Sequence, residues 1–208
     1  MIKRLFSSPT HTRLTLLAFV SATVSIVALL VHAAGWLPMY FLVNVLGPLS
    51  LLILLIVGVL GRRLNQRVFV NRLVVGAWGG LAATLAYDAI RLILWQGGVF
   101  SYNPFLSHPI FGMLITGQPV EATLSIIVGW AYHFWNGFGF GIMYTLIAGN
   151  AKWWYALIWA LILEVGWLAA LPSALNFQLN NELIAISLIG HGAYGVALGL
   201  LSERFIRE

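Results

Sequence analysis

Six apolar runs of about 20 residues recur along the chain, parted by short breaks marked by charge, proline or glycine. They predict helices at Leu14–Gly35, Phe41–Gly61, Leu73–Gly97, Ala122–Ile147, Trp153–Leu171 and Leu183–Glu203. Each is about long enough to cross 30 Å of hydrocarbon at 1.5 Å per residue. The expected fold class is therefore all-α, a polytopic transmembrane helical bundle of about six spans. Trp36, Tyr40, Trp95, Trp153, Trp154 and Tyr155 fall at predicted span ends, as an interfacial aromatic belt does. The first run follows basic residues, like a signal peptide. From Leu14 to Val31 it exceeds the ~7–15 residues of a signal core, and Val31-His32-Ala33 is a poor cleavage site, so a retained anchor is expected.

The polar positions between the runs set an orientation. Lys3, Arg4 and Arg13, then Arg62, Arg63, Arg67 and Arg72, then Lys152, then Arg204 and Arg207 occupy alternate connections. The connections between these stretches hold no Lys or Arg. By the positive-inside rule both termini are cytoplasmic, and the chain is read as a multi-pass protein of a bacterial inner membrane. Three segments follow: an apolar hairpin at 1–61, a basic cytoplasmic linker at 62–72, and a four-helix core at 73–208 that carries every acid of the apolar runs.

Composition agrees and excludes some classes. The chain is 61% hydrophobic and only 8% charged, against about 25% charged in soluble domains, so its surplus apolar surface must face lipid. Its 208 residues leave no room for a soluble domain beside six spans. The net charge of +5 sits at helix ends, where it meets lipid head groups, and no nucleic-acid partner is expected. There is no cysteine, which excludes disulfides, thiolate metal ligands and covalent haem attachment.

Two further patterns concern packing. Gly76 and Gly80, Gly137 and Gly141, and Gly195 and Gly199 are spaced four apart. In lipid such pairs let backbones approach closely, so the helices carrying them are expected to touch one another. The outer connection 98–121 contains Pro104, Pro109 and Pro119 around the apolar stretch Ile110–Ile115. It is too short to span. It is expected to lie on the membrane surface, or to dip back in as a lid that His108 and Glu121 would help build.

Charged and hydrogen-bonding side chains inside the runs are costly in hydrocarbon, and they point to function. Asp88 and Arg91 lie three apart on one helix face, as do His133 and Asn136 on another helix; Glu164 and His191 stand on two more. Counted at 1.5 Å per residue from the outer helix ends, they lie about 9 to 17 Å deep. Four helices thus place ionisable groups at a common level, which implies one polar pocket opening outward. Histidine and carboxylate suit Zn, Mn or Fe. If Arg91 pairs with Asp88, the metal set that remains is His133, Glu164 and His191, with Asp88, Arg91, Asn136 and Glu164 as ligand- or proton-binding groups. Each of these residues has a purely structural reading too, as an ion pair or an interhelical hydrogen bond. A b-type haem between the two histidines is a lesser alternative, with Gly190 and Gly192 giving a porphyrin room.

The stretches Tyr132-His133-Phe134-Trp135-Asn136-Gly137 and Ile189-Gly190-His191-Gly192 resemble the YagU-like group of small bacterial inner-membrane proteins. The resemblance covers residues 73–205 and excludes the N-terminal hairpin. It implies a membrane location and a shared pocket at His133, Asn136 and His191, and no activity. The expectation is a pocket for a divalent metal or a small polar ligand from the periplasmic side. A proton-coupled transporter and a structural subunit are the alternatives.

Overall fold

The computed structural model describes residues 9–176 and 178–208; Lys3 and Arg4 lie outside the described residues. These residues form seven helices: α1 (Pro9–Ala33), α2 (Met39–Arg63), α3 (Arg67–Gln96), α4 (Ser107–Thr116), α5 (Thr123–Ala148), α6 (Trp153–Leu175) and α7 (Asn181–Phe205). Helices α1, α2, α3, α6 and α7 contain stretches long and apolar enough to cross a membrane. Five such helices suggest insertion in a lipid bilayer.

The sixth expected span, α5, has 26 residues but is not apolar enough to count with them. Its sequence interleaves glycines and aromatic rings with His133 and Asn136. The reason lies in packing. Helix α5 is wrapped by α1, α3 and α4, and its last two turns from Gly141 to Ala148 are almost wholly buried. A helix shielded from lipid by its neighbours has no need of a continuous apolar surface.

Contacts run from α3 to α5, α5 to α1, α1 to α6, α6 to α7 and α7 back to α3, closing a five-helix ring. Helix α2 packs outside it on α1, and α4 covers one end, touching α2, α5 and α6. The α3–α5 seam is the glycine seam that the spacing implies. A Cβ on Gly76 would strike the Gly141 carbonyl oxygen, and one on Gly80 the Gly137 carbonyl. Helix α7 touches α3 as expected, but its glycine pair does not make that contact. Gly195 and Gly199 face Leu157, Ala156 and Trp153, so they seat α6. Helix α7 instead meets α5 through the Tyr194 hydroxyl, which donates to the Gly137 carbonyl at 2.9 Å.

The basic linker is shorter than expected. Helix α3 begins at Arg67, so only residues 64–66 separate it from α2. It starts early because Phe69 fills a fully buried site against Gly61 at the end of α2. Arg72 is accordingly buried. Its guanidinium meets the Glu208 carboxylate and donates to the Leu146 carbonyl at 3.3 Å. The Asn71 carboxamide oxygen accepts from the Arg207 backbone at 2.7 Å, and Lys152 pairs with Glu203 at 2.8 Å. These contacts bring the start of α3, the end of α5, the start of α6 and the C-terminal end of α7 together at one end of the bundle.

Part of the connection 98–121 is a packed helix rather than a surface loop. Helix α4 packs its backbone directly on α5, where a Cβ on Gly112 would strike the Ser125 carbonyl and one on Gly129 the His108 carbonyl. Pro109 is tolerated in its first turn, where helix N–H groups lack partners anyway. Gly117 ends it at φ +71, donating to the Met113 carbonyl at 2.8 Å, as a left-handed cap does. Asn44 of α2 pins its end by donating to the Ile115 carbonyl at 2.9 Å.

Candidate metal and ligand site

The ring encloses a cavity of about 280 Å³ to which α1, α3, α4, α5, α6 and α7 all contribute walls. Most of the wall is apolar: Leu29 and Leu30 of α1, Phe111 of α4, Phe140 of α5 and Trp167 of α6. The polar groups gather in two clusters. Asp88, His133, Glu164 and His191 lie about 12 to 17 Å along their helices from the α4 end of the bundle, at 1.5 Å per residue.

The first cluster joins α3, α4 and α5. Asp88 and His133 face each other at 2.9 Å from Oδ2 to Nε2 and 3.1 Å from Oδ1. Arg91 donates to Asp88 Oδ1 at 3.4 Å and to the Pro104 carbonyl. Its guanidinium lies over the Tyr87 ring at 4.4 Å and the Phe105 ring at 5.1 Å, so the cation is held by an anion, a carbonyl and two aromatic faces. His108 completes the cluster. Its ring is stacked on Trp130 at 4.3 Å and stands edge-on to His133 at 4.4 Å. The Phe105 carbonyl, 3.1 Å from its Nδ1, can only accept, so Nδ1 carries hydrogen and Nε2 keeps its lone pair. Burial in the first place, then the neighbouring His133 and Arg91, hold the His108 pKa well below the ordinary imidazole value.

Asp88, His108 and His133 each offer a ligand atom, and these atoms all lie within 4.8 Å of one another. That is the one such group of three among the described residues. The 2.9 Å edge between Asp88 and His133 is close to the edge of about 3.3 Å between neighbouring ligands on a tetrahedral cation with bonds near 2.0 Å. One carboxylate and two neutral imidazoles could hold a metal ion and leave coordination positions open.

The second cluster joins α6 and α7. Glu164 is fully buried. Its Oε2 stands 2.6 Å from His191 Nδ1 and accepts the Ser187 hydroxyl at 2.9 Å. The same His191 Nδ1 lies 3.1 Å from the Ser187 carbonyl. The Glu164 Oε1 and the Asn136 Oδ1 are buried with no hydrogen-bond partner. Asn136 spends its amide N–H on the Tyr132 carbonyl of its own helix, at 3.0 Å.

The structure therefore brings the sequence-derived residues together in a different pairing. His133 goes with Asp88, although Asp88 also holds Arg91. Glu164 goes with His191. The trio His133, Glu164 and His191 is not a group with all ligand atoms inside 4.8 Å. The Tyr87 ring touches both imidazoles, at 5.7 Å from His133 and 5.0 Å from His191. Gly190 makes room for Tyr87 and Arg91, whose atoms would stand 2.7–2.9 Å from a Cβ there, and so gives no space to a cofactor. His108 is the residue that sequence reasoning underrated. Its helix is too short to announce itself by length, and the signal available was Gly112 and Gly129, which allow the backbone contact that carries His108 inward.

No curated protein and no solved structure matches this chain. Residues 70–208, which hold α4–α7, nearly all of α3 and every residue of both polar clusters, match the model of a family of unknown function, DUF6789, and the chain belongs to that family.

Proposed function

We propose that this chain is a six-span bacterial inner-membrane protein that holds a divalent cation, Zn, Mn or Fe, through Asp88, His108 and His133. The basic residues cluster at one end of the bundle, which supports cytoplasmic termini and a site toward the periplasmic end. The observation that carries the metal reading is the convergence of these three side chains from three separate helices. The tautomer of His108 is fixed by a carbonyl acceptor behind it, an arrangement that metal-bound histidines share. The YagU-like resemblance adds that His133, Asn136 and His191 would belong to one shared pocket.

Metal analysis of the purified full chain tests this. Wild type should carry close to one equivalent of cation; His108→Ala and Asp88→Asn should lose it, and His191→Ala should retain it. Loss in His191→Ala with retention in His108→Ala would move the site to His133, Glu164 and His191. No cation in any sample would end the metal reading.

The buried Glu164–His191 pair supports a second reading, a proton-coupled transporter in which that pair binds the proton. It requires a flux that follows the proton gradient and disappears in Glu164→Gln.

A further inference from the structure

The cavity reaches the lipid-facing surface sideways. Leu30 of α1 and Ile162 of α6 line it, yet they are 47% and 59% exposed on the outside of the bundle. Gly166, one turn along α6, also lines it, is exposed, and has open space where a Cβ would stand. Among the pairs that close the ring, α1 and α6 share the sparsest contact. A gap walled by leucine, isoleucine and glycine at this level of the bundle opens to hydrocarbon. A hydrated ion or sugar would be desolvated on that route, whereas an apolar molecule would not.

The inner end of the same cavity makes a different demand. His191 Nδ1 is flanked by the Ser187 carbonyl and the Glu164 carboxylate, and both accept. Nδ1 therefore carries hydrogen, and in the tautomer with that single hydrogen Nε2 is the ring's remaining acceptor. Asn136 gives one amide N–H to the Tyr132 carbonyl, and its Oδ1 is an acceptor, buried and unpartnered. A buried acceptor without a donor costs on the order of 1–3 kcal/mol. Both residues line one cavity, so a ligand that donates, with the Asn136 amide turned toward it, would satisfy both. A phosphate head group would bring only acceptors, and Arg91, the cation on the wall, is already taken by Asp88, the Pro104 carbonyl and two rings. The volume of about 280 Å³ sits at the lower edge of ligand cavities, which run from roughly 300 to 1,000 Å³, and it suits one ring better than a lipid head. Tyr87, Phe111, Phe140 and Trp167 supply aromatic walls for such a ring.

From these observations we infer that the cavity admits, through the slot between α1 and α6, a membrane-soluble molecule whose head is a hydroxylated aromatic ring on a hydrocarbon tail, the chemistry of a membrane quinol. One ring hydroxyl donates to His191 Nε2 and the other to Asn136 Oδ1, and the tail leaves past Leu30, Ile162 and Gly166 into lipid. This goes beyond the cation reading and stands whether or not Asp88, His108 and His133 hold a metal.

The test uses the full chain in lipid nanodiscs under anaerobic conditions, with radiolabelled decylbenzoquinol as the probe. Decylbenzoquinol should bind saturably. The oxidised decylbenzoquinone, which cannot donate, should bind at least tenfold more weakly, and so should tail-less hydroquinone. Ile162→Trp, on an exposed position that folding tolerates, and Gly166→Leu should each weaken binding at least tenfold by blocking the slot. Asn136→Leu should weaken quinol binding and narrow its advantage over the quinone. Cation content is measured on the same samples, so that loss of metal and loss of quinol binding are scored apart. Non-saturable uptake, equal or tighter binding of the quinone, wild-type binding in Ile162→Trp, or a co-purified phospholipid that decylbenzoquinol fails to displace would each overturn the inference.

Discussion

Two glycines on either side of His191 should respond to the same substitution with opposite signs. At Gly190 a new Cβ would stand 2.7 Å from Arg91 Cδ and 2.8 and 2.9 Å from two Tyr87 ring carbons, against an ordinary contact of 3.4 Å or more. The neighbours must therefore retreat by about half an ångström or more. They have little freedom to do so, because Arg91 is buried and tied to Asp88 and Pro104. Overpacking of this kind costs about 1–3 kcal/mol. At Gly192 a Cβ would meet nothing within 4 Å. Alanine in place of glycine gains about 0.5–1 kcal/mol of helix propensity at either position, so that gain cancels in the comparison. Gly190→Ala should thus be less stable than Gly192→Ala by about 1–3 kcal/mol, and Gly192→Ala should equal or exceed wild type. For a chain of this size each kcal/mol shifts the midpoint by about 2–4 °C. Thermal melting of the two variants in one detergent reads the difference directly. Equal midpoints would mean that α7 does not rest on Tyr87 and Arg91 through Gly190, and the geometry that places His191 beside the cavity would fall with it.

Three other outcomes follow from the same contacts. Glu164→Ala leaves the His191 Nδ1–H and the Ser187 hydroxyl without their buried acceptor and should cost about 1–3 kcal/mol, seen as a lower melting midpoint; an unchanged midpoint would show that neither group depends on Glu164. Glu208→Ala leaves the buried Arg72 guanidinium without its carboxylate, and limited proteolysis should then cut the C-terminal end faster than in wild type, with Arg72→Met relieving the effect. His108 has its pKa depressed by burial, so its contribution to stability is complete above the unfolded imidazole value of about 6.5 and is lost as pH falls through the lower folded value. Melting between pH 7 and 5 should therefore show a decline that flattens in His108→Gln; parallel profiles for the two proteins would contradict the buried placement of this ring.

The linear order of residues already determined most of the architecture. Runs of about 20 apolar residues could only be helices in lipid, because hydrocarbon leaves no other way to satisfy backbone groups. Glycines spaced four apart marked the α3–α5 seam, since helices in lipid come together where side chains are smallest. The common level of Asp88, His133, Glu164 and His191 was also legible, as it needs only the rise per residue. Tertiary structure decided the rest. Which carboxylate faces which imidazole depends on the rotation of each helix about its axis and on who its neighbours are, and neither is written in one helix's periodicity. The α7 glycines could serve α6 or α5 equally well until the ring closed, and Arg72 read as solvated until Glu208 came back from the far end of the chain to meet it. His108 joined the cluster only because two backbones touch at Gly112 and Gly129, a contact between segments whose proximity no local rule specifies.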